Sequence, residues 1–539
     1  MKKVVIGLVA ALLIGGGAFG AVKLVNSSSE TDPLEMVPHG AFFYSHVTLD
    51  PGAGQEAALD ALAEKFPRFG SRQNVIDEVK DLIQEGLEEE DFSYENDIDS
   101  WLGDQAAFFS LMPSLPSETP PQDMGTAGQP EFEVAGLIAM KDADAAQAFI
   151  DKVDRKTDGG SENQTYEGIE YRVDAGDGAV GLVEDFVVVG TEAGFKKVVD
   201  TVQRDDAKTL VDDTRFQDAT EKLREDRLAL VYLDLKPVLR EIAKASPVPF
   251  DLSTGPFSFG FEHPLTAIFY AQENGAVIES VRRAPKEGAL AEAALEGAND
   301  PGLLPELPGD TWGAVGVPNF GDTLRATFEA LPQAIPGFDP SALLRRFENE
   351  SGIDAEEDVL SWIGALGFFV QGDTLAELGG GAVIETTDPA ASTRLVIKLA
   401  KLVGQAGTKV GALPKILGPG VKGFSVQEQG QPQPINFAAA DDRVVIAYGN
   451  EATAGALGAG DTFEQSDVYV TGRQALGEDL IPSAIFDIET IVGLVESSAP
   501  VPENYEDEVK PFLDPLSVIV FGGKLEGDTV TSRVVVGAE

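Results

Sequence analysis

The sequence predicts an α+β fold of two tandem homologous copies. Each copy is a mainly antiparallel β-sheet with helices packed on one side, and an N-terminal transmembrane helix precedes the pair. Three observations predict this. The stretch Asp97-Ile98-Asp99-Ser100-Trp101-Leu102-Gly103, running on into Ala107-Phe108-Phe109, returns as Asp358-Val359-Leu360-Ser361-Trp362-Ile363-Gly364, running on into Gly367-Phe368-Phe369. The landmarks around the two stretches keep one order, the signature of a duplication of about 230–240 residues. An uncharged run, Val4 to Val22, opens the chain.

That run follows Lys2 and Lys3 and ends at Lys23. About 19 residues at 1.5 Å each give about 28 Å, close to the hydrocarbon thickness of a bilayer. Asn26-Ser27-Ser28-Ser29 then reads as a polar leash, so residues 1–36 form a signal-anchor and leash. Ala18-Phe19-Gly20 offers a small-residue cleavage site, which makes a cleaved signal peptide and a secreted protein the alternative. Either route places the body outside the cytoplasm.

The first copy, residues 37–283, opens with a strand at Val37-Pro38-His39-Gly40-Ala41-Phe42-Phe43-Tyr44. The second, residues 307–539, opens with Leu307-Pro308-Gly309-Asp310-Thr311-Trp312. Ile98, Trp101 and Leu102, like Val359, Trp362 and Ile363, fall on one face of a short helix. Ser93 and Asp354 are its N-caps, and Asp354 with Glu357 fits a capping box. Gly103 and Gly364 are expected to stop it in the left-handed conformation. Next come a strand, an aspartate and a helix: Ala135 to Met140, Asp142 and Ala145 to Val153. The second copy answers with Ala382 to Glu385, Asp388 and Ala391 to Leu399. Later strands include Phe186 to Gly190 and Leu230 to Leu235, answered by Arg443 to Ile446 and Ala484 to Ile488. Hairpins turn at Asn274-Gly275 and at Glu526-Gly527-Asp528. Residues 284–306 are the connector, and Met112 to Glu131 is a proline-rich surface loop.

The proline-led opening strand, the Trp-Leu-Gly and Trp-Ile-Gly ends and the strand–Asp–helix unit resemble the bacterial membrane-anchored family called domain of unknown function 3352. The resemblance covers nearly the whole chain after the anchor. It implies a membrane segment and an extracytoplasmic body, and it supplies no activity.

Composition narrows the function classes. With 90 acidic against 40 basic residues the formal net charge is −50. Nucleic acid is excluded as a partner, because phosphate binding needs clustered lysine and arginine. Apolar residues make up 43%, so the body can bury cores. The chain has no cysteine, which removes disulfides, thiolate metal sites and cysteine nucleophiles.

No motif carries catalysis. His39 and His46 flank the opening strand, His263 stands alone, and the spacing matches no zinc site. Gly176-Asp177-Gly178-Ala179-Val180-Gly181 matches GxGxxG in letters, but strand follows it where a dinucleotide site needs a helix, so it reads as a hairpin turn. Glu88-Glu89-Glu90-Asp91 and Glu95-Asn96-Asp97-Ile98-Asp99 lack the EF-hand pattern. Asp97 and Asp358 are equivalent acids, one per copy. Catalytic, cofactor-binding and metal-binding residues are each read as none, and no cofactor is expected. The function expected is a non-enzymatic, membrane-tethered binding or scaffolding ectodomain of the cell envelope, partnered by the membrane and by an unknown protein or apolar ligand. A lipid or apolar carrier, suggested by Phe250, Phe257, Phe259, Phe261 and Phe269, is the first alternative. An unrecognised hydrolase is the second.

Overall fold

A computed structural model describes residues 31–88, 92–112, 132–156, 160–245, 262–284, 292, 295–334, 339–498, 500–502 and 504–539. The described residues form two compact units. One holds residues 31–245 and 263–282, and the other holds residue 262 and residues from 283 to the end.

The first unit contributes β1 (Phe43–Thr48), β2 (Leu102–Leu111), β3 (Glu133–Met140), β4 (Glu162–Tyr166), β5 (Ile169–Val173), β6 (Gly178–Val183), β7 (Phe186–Thr191), β8 (Ala229–Leu233), β9 (Leu265–Gln272) and β10 (Gly275–Arg283). Each neighbouring pair is antiparallel, in the order β4-β5-β6-β7-β3-β2-β1-β8-β9-β10. The sheet is built largely from hairpins, which is why β-branched and aromatic residues alternate with short turns along the sequence.

The second unit contributes β11 (Thr311–Val317), β12 (Ile363–Gln371), β13 (Gly379–Thr386), β14 (Val410–Gly411), β15 (Lys422–Val426), β16 (Ile435–Ala439), β17 (Arg443–Tyr448), β18 (Ile481–Asp487), β19 (Leu516–Glu526) and β20 (Thr529–Ala538). These pair antiparallel as β14-β15-β16-β17-β13-β12-β11-β18-β19-β20. The connectivity is that of the first unit.

The expected fold class needs correction in its membrane part. Among the described residues no helix is long and apolar enough to cross a membrane. The longest, Arg72–Glu88 and Pro389–Gln405, have 17 residues each and carry charges on one face. Such helices bury a stripe against the sheet and hydrate the rest. The run from Val4 to Val22 lies outside the described residues, as do Phe250, Phe257, Phe259 and Phe261 and residues 113–131. The fold is therefore α+β, antiparallel sheet with packed helices, and the transmembrane helix is withdrawn from it.

Each tryptophan stretch departs from the expected α-helix in one instructive way. Tyr94–Ile98 and Ala355–Leu360 are π-helical turns. Ser93 and Asp354 do cap them, Ser93 accepting from the Asn96 amide and Asp354 from the amides of Glu356 and Glu357. The wider π turn adds a residue, so the acid that reaches back to the cap is one position later than a capping box places it. Asp97 Oδ2 accepts the Ser93 amide and Asp358 Oδ2 accepts the Asp354 amide, each at 2.9 Å, in place of Glu357. Gly103 and Gly364 are also corrected. Neither has a positive φ. They lie in β2 and β12 where the register with the next strand shifts. A Cβ on Gly103 would sit 2.6 Å from the Ala139 carbonyl carbon, and one on Gly364 would sit 2.7 Å from Glu385 Oε2. Close approach of the Ala139 backbone at an irregular pairing selects glycine at Gly103, whereas the nearest atom beside Gly364 ends a flexible side chain that can swing aside.

Candidate functional site

The residues that drew most notice in the sequence converge on structure. Trp101 is 0% exposed and Trp362 is 2% exposed. Trp101 stacks on Phe149 of the helix Ala143–Lys156, with ring centres 5.4 Å apart. Trp362 packs with Ile353, Leu395, Phe424 and Val444. Each indole N–H donates to a backbone carbonyl at 2.6 Å, Trp101 to Asp97 and Trp362 to Asp358. A buried indole needs that partner.

The same two aspartates also hold lysines that the sequence reading missed. Asp97 accepts from Lys152 Nζ at 2.6 Å, and Asp358 accepts from Lys398 Nζ. A signal for them was present, since each lysine stands at the same distance after the helix-capping Asp142 or Asp388. The Lys398 ammonium, helped by the Asp354 amide, holds the Asp358 carboxyl below its ordinary range against the opposing effect of burial. Asp97 and Asp358 are thus anchors of the π turns.

The histidines are not brought together as a site. His39 is exposed, with Nε2 3.7 Å from Asp213 Oδ2. His46 lies inside β1, paired with Ala107 and Leu230, where a flanking position was expected. Its Nε2 is shut off from solvent without a hydrogen bond, and burial lowers its pKa. It borders a hollow of about 310 Å³ with Thr48, Asp226 and Arg227. His263 precedes β9. The GxGxxG look-alike is the turn between β5 and β6: the Asp174 carboxylate takes the amides of Gly176 and Gly178.

One hollow among the described residues lies in the second unit. It measures about 510 Å³ and is lined by the loop Pro308-Gly309-Asp310, the end of β12 at Gln371, Ile416, the helix Asn450–Ala456 and the segment from Ala459 to Ser466. Asp310, Glu451 and Asp461 are among its lining residues, and no lysine or arginine is. Gln371 is 6% exposed. Its Nε2 donates to Asp310 Oδ2 at 2.8 Å, while its Oε1 has no partner. In the first unit Leu111 occupies the position two residues after Phe109 that Gln371 occupies after Phe369. Leu111 is 8% exposed, so this place in the fold accepts an apolar side chain. Among the described residues no group of three metal-ligating side chains is close enough to hold a metal ion.

A family profile described as "Protein of unknown function (DUF3352)" matches residues 4–415. The chain belongs to the DUF3352 family. Membership extends the match across the first unit and well into the second, through both tryptophan stretches. A search of curated proteins returns no match. Two solved structures are similar to this DUF3352 chain in part. One, titled "Structure of crystal form IV of TP0453", is 16% identical and covers 47% of this chain and 81% of its own, with a TM-score of 0.23. The other, "Structure of crystal form I of TP0453", is 13% identical and covers 50% and 87%, also at 0.23. Superposition that low carries no argument about either fold or function.

Proposed function

We propose that this DUF3352 protein is a non-enzymatic binding protein of the cell envelope, acting outside the cytoplasm, with the hollow of the second unit as its ligand site. The observation that carries the reading is Gln371, a buried amide in the wall of the hollow with its nitrogen tied to Asp310 and its oxygen, shut off from solvent, without a partner. Leaving a buried acceptor unmade costs about 1–3 kcal/mol, and a ligand or water recovers it. The acidic residues and the amide in the lining speak for a hydrogen-bonding ligand over the apolar carrier. The carboxylates of Asp97 and Asp358 are engaged by Lys152 and Lys398 and by the amides of Ser93 and Asp354, which takes the most suggestive acids away from a hydrolase. Export is proposed from the lysine-led apolar run at the N-terminus and from the absence of cysteine.

Complementation of a deletion strain tests this. Gln371→Leu and Glu451→Gln proteins should fold and fail to complement. Single substitutions of His39, His46 and His263 should complement. A histidine variant that is fully folded yet dead would move the protein to the enzymes.

A further inference from the structure

We infer that the outer edge of β4, in the first unit, takes an extended cationic segment of a partner protein, which adds to the sheet as one more antiparallel strand. The inference concerns the first unit and does not depend on the hollow of the second.

β4 pairs with β5 on one side and with no described strand on the other. The two strands join through Glu167 and Gly168, both at positive φ, so Tyr166 and Ile169 close a two-residue hairpin and exchange hydrogen bonds. Bonded and non-bonded pairs alternate along an antiparallel ladder. Glu162, Gln164 and Tyr166 therefore bond to β5, and the N–H and C=O groups of Asn163 and Thr165 point outward. The first four residues of β4 are exposed. Sheet edges are ordinarily blunted by lysine, proline, a bulge or extreme shortness. β4 carries none of these over its 5 residues. Its counterpart β14, at the same end of the second sheet, is only 2 residues long.

A groove runs beside this edge. Asn163 and Thr165 share a face of the sheet with Arg172 and Glu170, the residues directly opposite them. Arg172 shows that this face is the one under the helix Ala143–Lys156, where it meets Asp151 at 2.7 Å and Asp154 at 3.0 Å. That helix packs over β6. Next to it lies a hollow of about 220 Å³, lined by Gln147 and Ile150 of the helix and by Asn163, Thr165 and Glu170 of the hairpin. A strand laid along β4 sends every second side chain to this face, so main-chain bonds hold it and the hollow reads alternate side chains.

Charge selects the occupant. Glu162, Glu167 and Glu170 are exposed on the hairpin, and its one basic residue, Arg172, is already engaged. Glu170 makes no ion pair among the described residues, and it stands across from Thr165. An added strand lies about 10 Å from β5, two strand spacings. A lysine or arginine opposite the small Thr165 spans that gap toward the Glu170 carboxylate. A second copy of this chain, with its net charge of −50, is repelled from the same edge.

The test is isothermal titration of the full chain with an end-capped nonapeptide of alternating lysine and valine, at about 50 and 150 mM salt. One peptide per chain is expected, bound more weakly at the higher salt. With its lysines on the hollow side, the lysine amides are the ones that meet Asn163 and Thr165. N-methylation of those amides should abolish binding, and N-methylation of the valine amides, which carries the same charge, should leave it unchanged. Glu170→Lys should weaken binding about threefold or more. Thr165→Pro removes an outward N–H without touching the bonds to β5, and it should abolish binding. Glu221→Lys, exposed at the end of the helix Thr214–Thr220, should bind as the wild type does. Circular dichroism checks each fold, and if Thr165→Pro fails to fold the two methylated peptides decide. Equal loss with both methylated peptides, or equal weakening by Glu170→Lys and Glu221→Lys, means mere attraction to an acidic surface and overturns the inference. Absence of saturable binding overturns it too. So does a wild-type dimer, formed without peptide and dissolved by Thr165→Pro, which gives the edge to a second copy.

Discussion

Replacing Trp101 by alanine probes the principal anchor of the first unit. The indole is 0% exposed, stacks on Phe149 at 5.4 Å and donates to the Asp97 carbonyl at 2.6 Å. Truncation of a buried tryptophan costs about 3–5 kcal/mol. The carbonyl left without its donor places this site toward the upper end of that range. A domain's total stability is about 5–15 kcal/mol. Trp101→Ala should therefore bring the first unit close to unfolding at room temperature. Trp101→Phe keeps much of the ring and loses the N–H, so a cost of about 1–2 kcal/mol is expected. Guanidinium denaturation followed by far-UV circular dichroism measures both, since the remaining tryptophans, Trp312 and Trp362, belong to the second unit. A loss below about 1 kcal/mol for alanine, or equal losses for alanine and phenylalanine, would refute the anchoring argument.

Other expectations come from the same contacts. Lys398→Met strands the Asp358 carboxylate, which is 5% exposed; solvent reaches the lysine, so the cost should be about 1–3 kcal/mol by urea denaturation. Because the folded Asp358 pKa lies below its ordinary 3.8, its stabilisation is fully present above that value and fades as pH falls through the folded pKa. Denaturation curves in acid should show this fall for the wild type and a flatter profile for Asp358→Asn. His46 has a folded pKa below its ordinary 6.5, so the unfolded chain binds the proton more readily. Stability of the first unit should drop as pH falls through 6.5, and His46→Gln should flatten that slope. Gly103→Ala forces a Cβ against the Ala139 backbone and should cost about 1–3 kcal/mol by thermal denaturation.

Much of this architecture is legible in the chain. Trp101 and Trp362 announce themselves by repeating with the same apolar neighbours, and the strand–Asp–helix unit names its own caps, Asp142 and Asp388. Strand pairing around Asn274-Gly275 follows from turn chemistry. What sequence periodicity misread is local geometry. Apolar spacing at i, i+3 and i+4 cannot distinguish an α turn from a π turn, so the reach of Asp358 past Glu357 stayed hidden. A glycine after a helix looks like a stop whether it turns left-handed or makes room for a neighbouring strand, as Gly103 does. The hollow was illegible for a different reason. Asp310, Gln371, Glu451 and Asp461 come from four separate segments, and only the sheet order brings them to one wall. No spacing along the chain connects them. Gln371 did leave one trace, a polar residue where the first unit has Leu111 two residues after its own paired phenylalanines.

Native mass spectrometry of the chain isolated from its own host tests the binding account most directly. The account predicts one low-mass adduct per wild-type chain and its loss in the folded Gln371→Leu protein. A bare wild-type chain, or an adduct that persists when Gln371 is leucine, would contradict it.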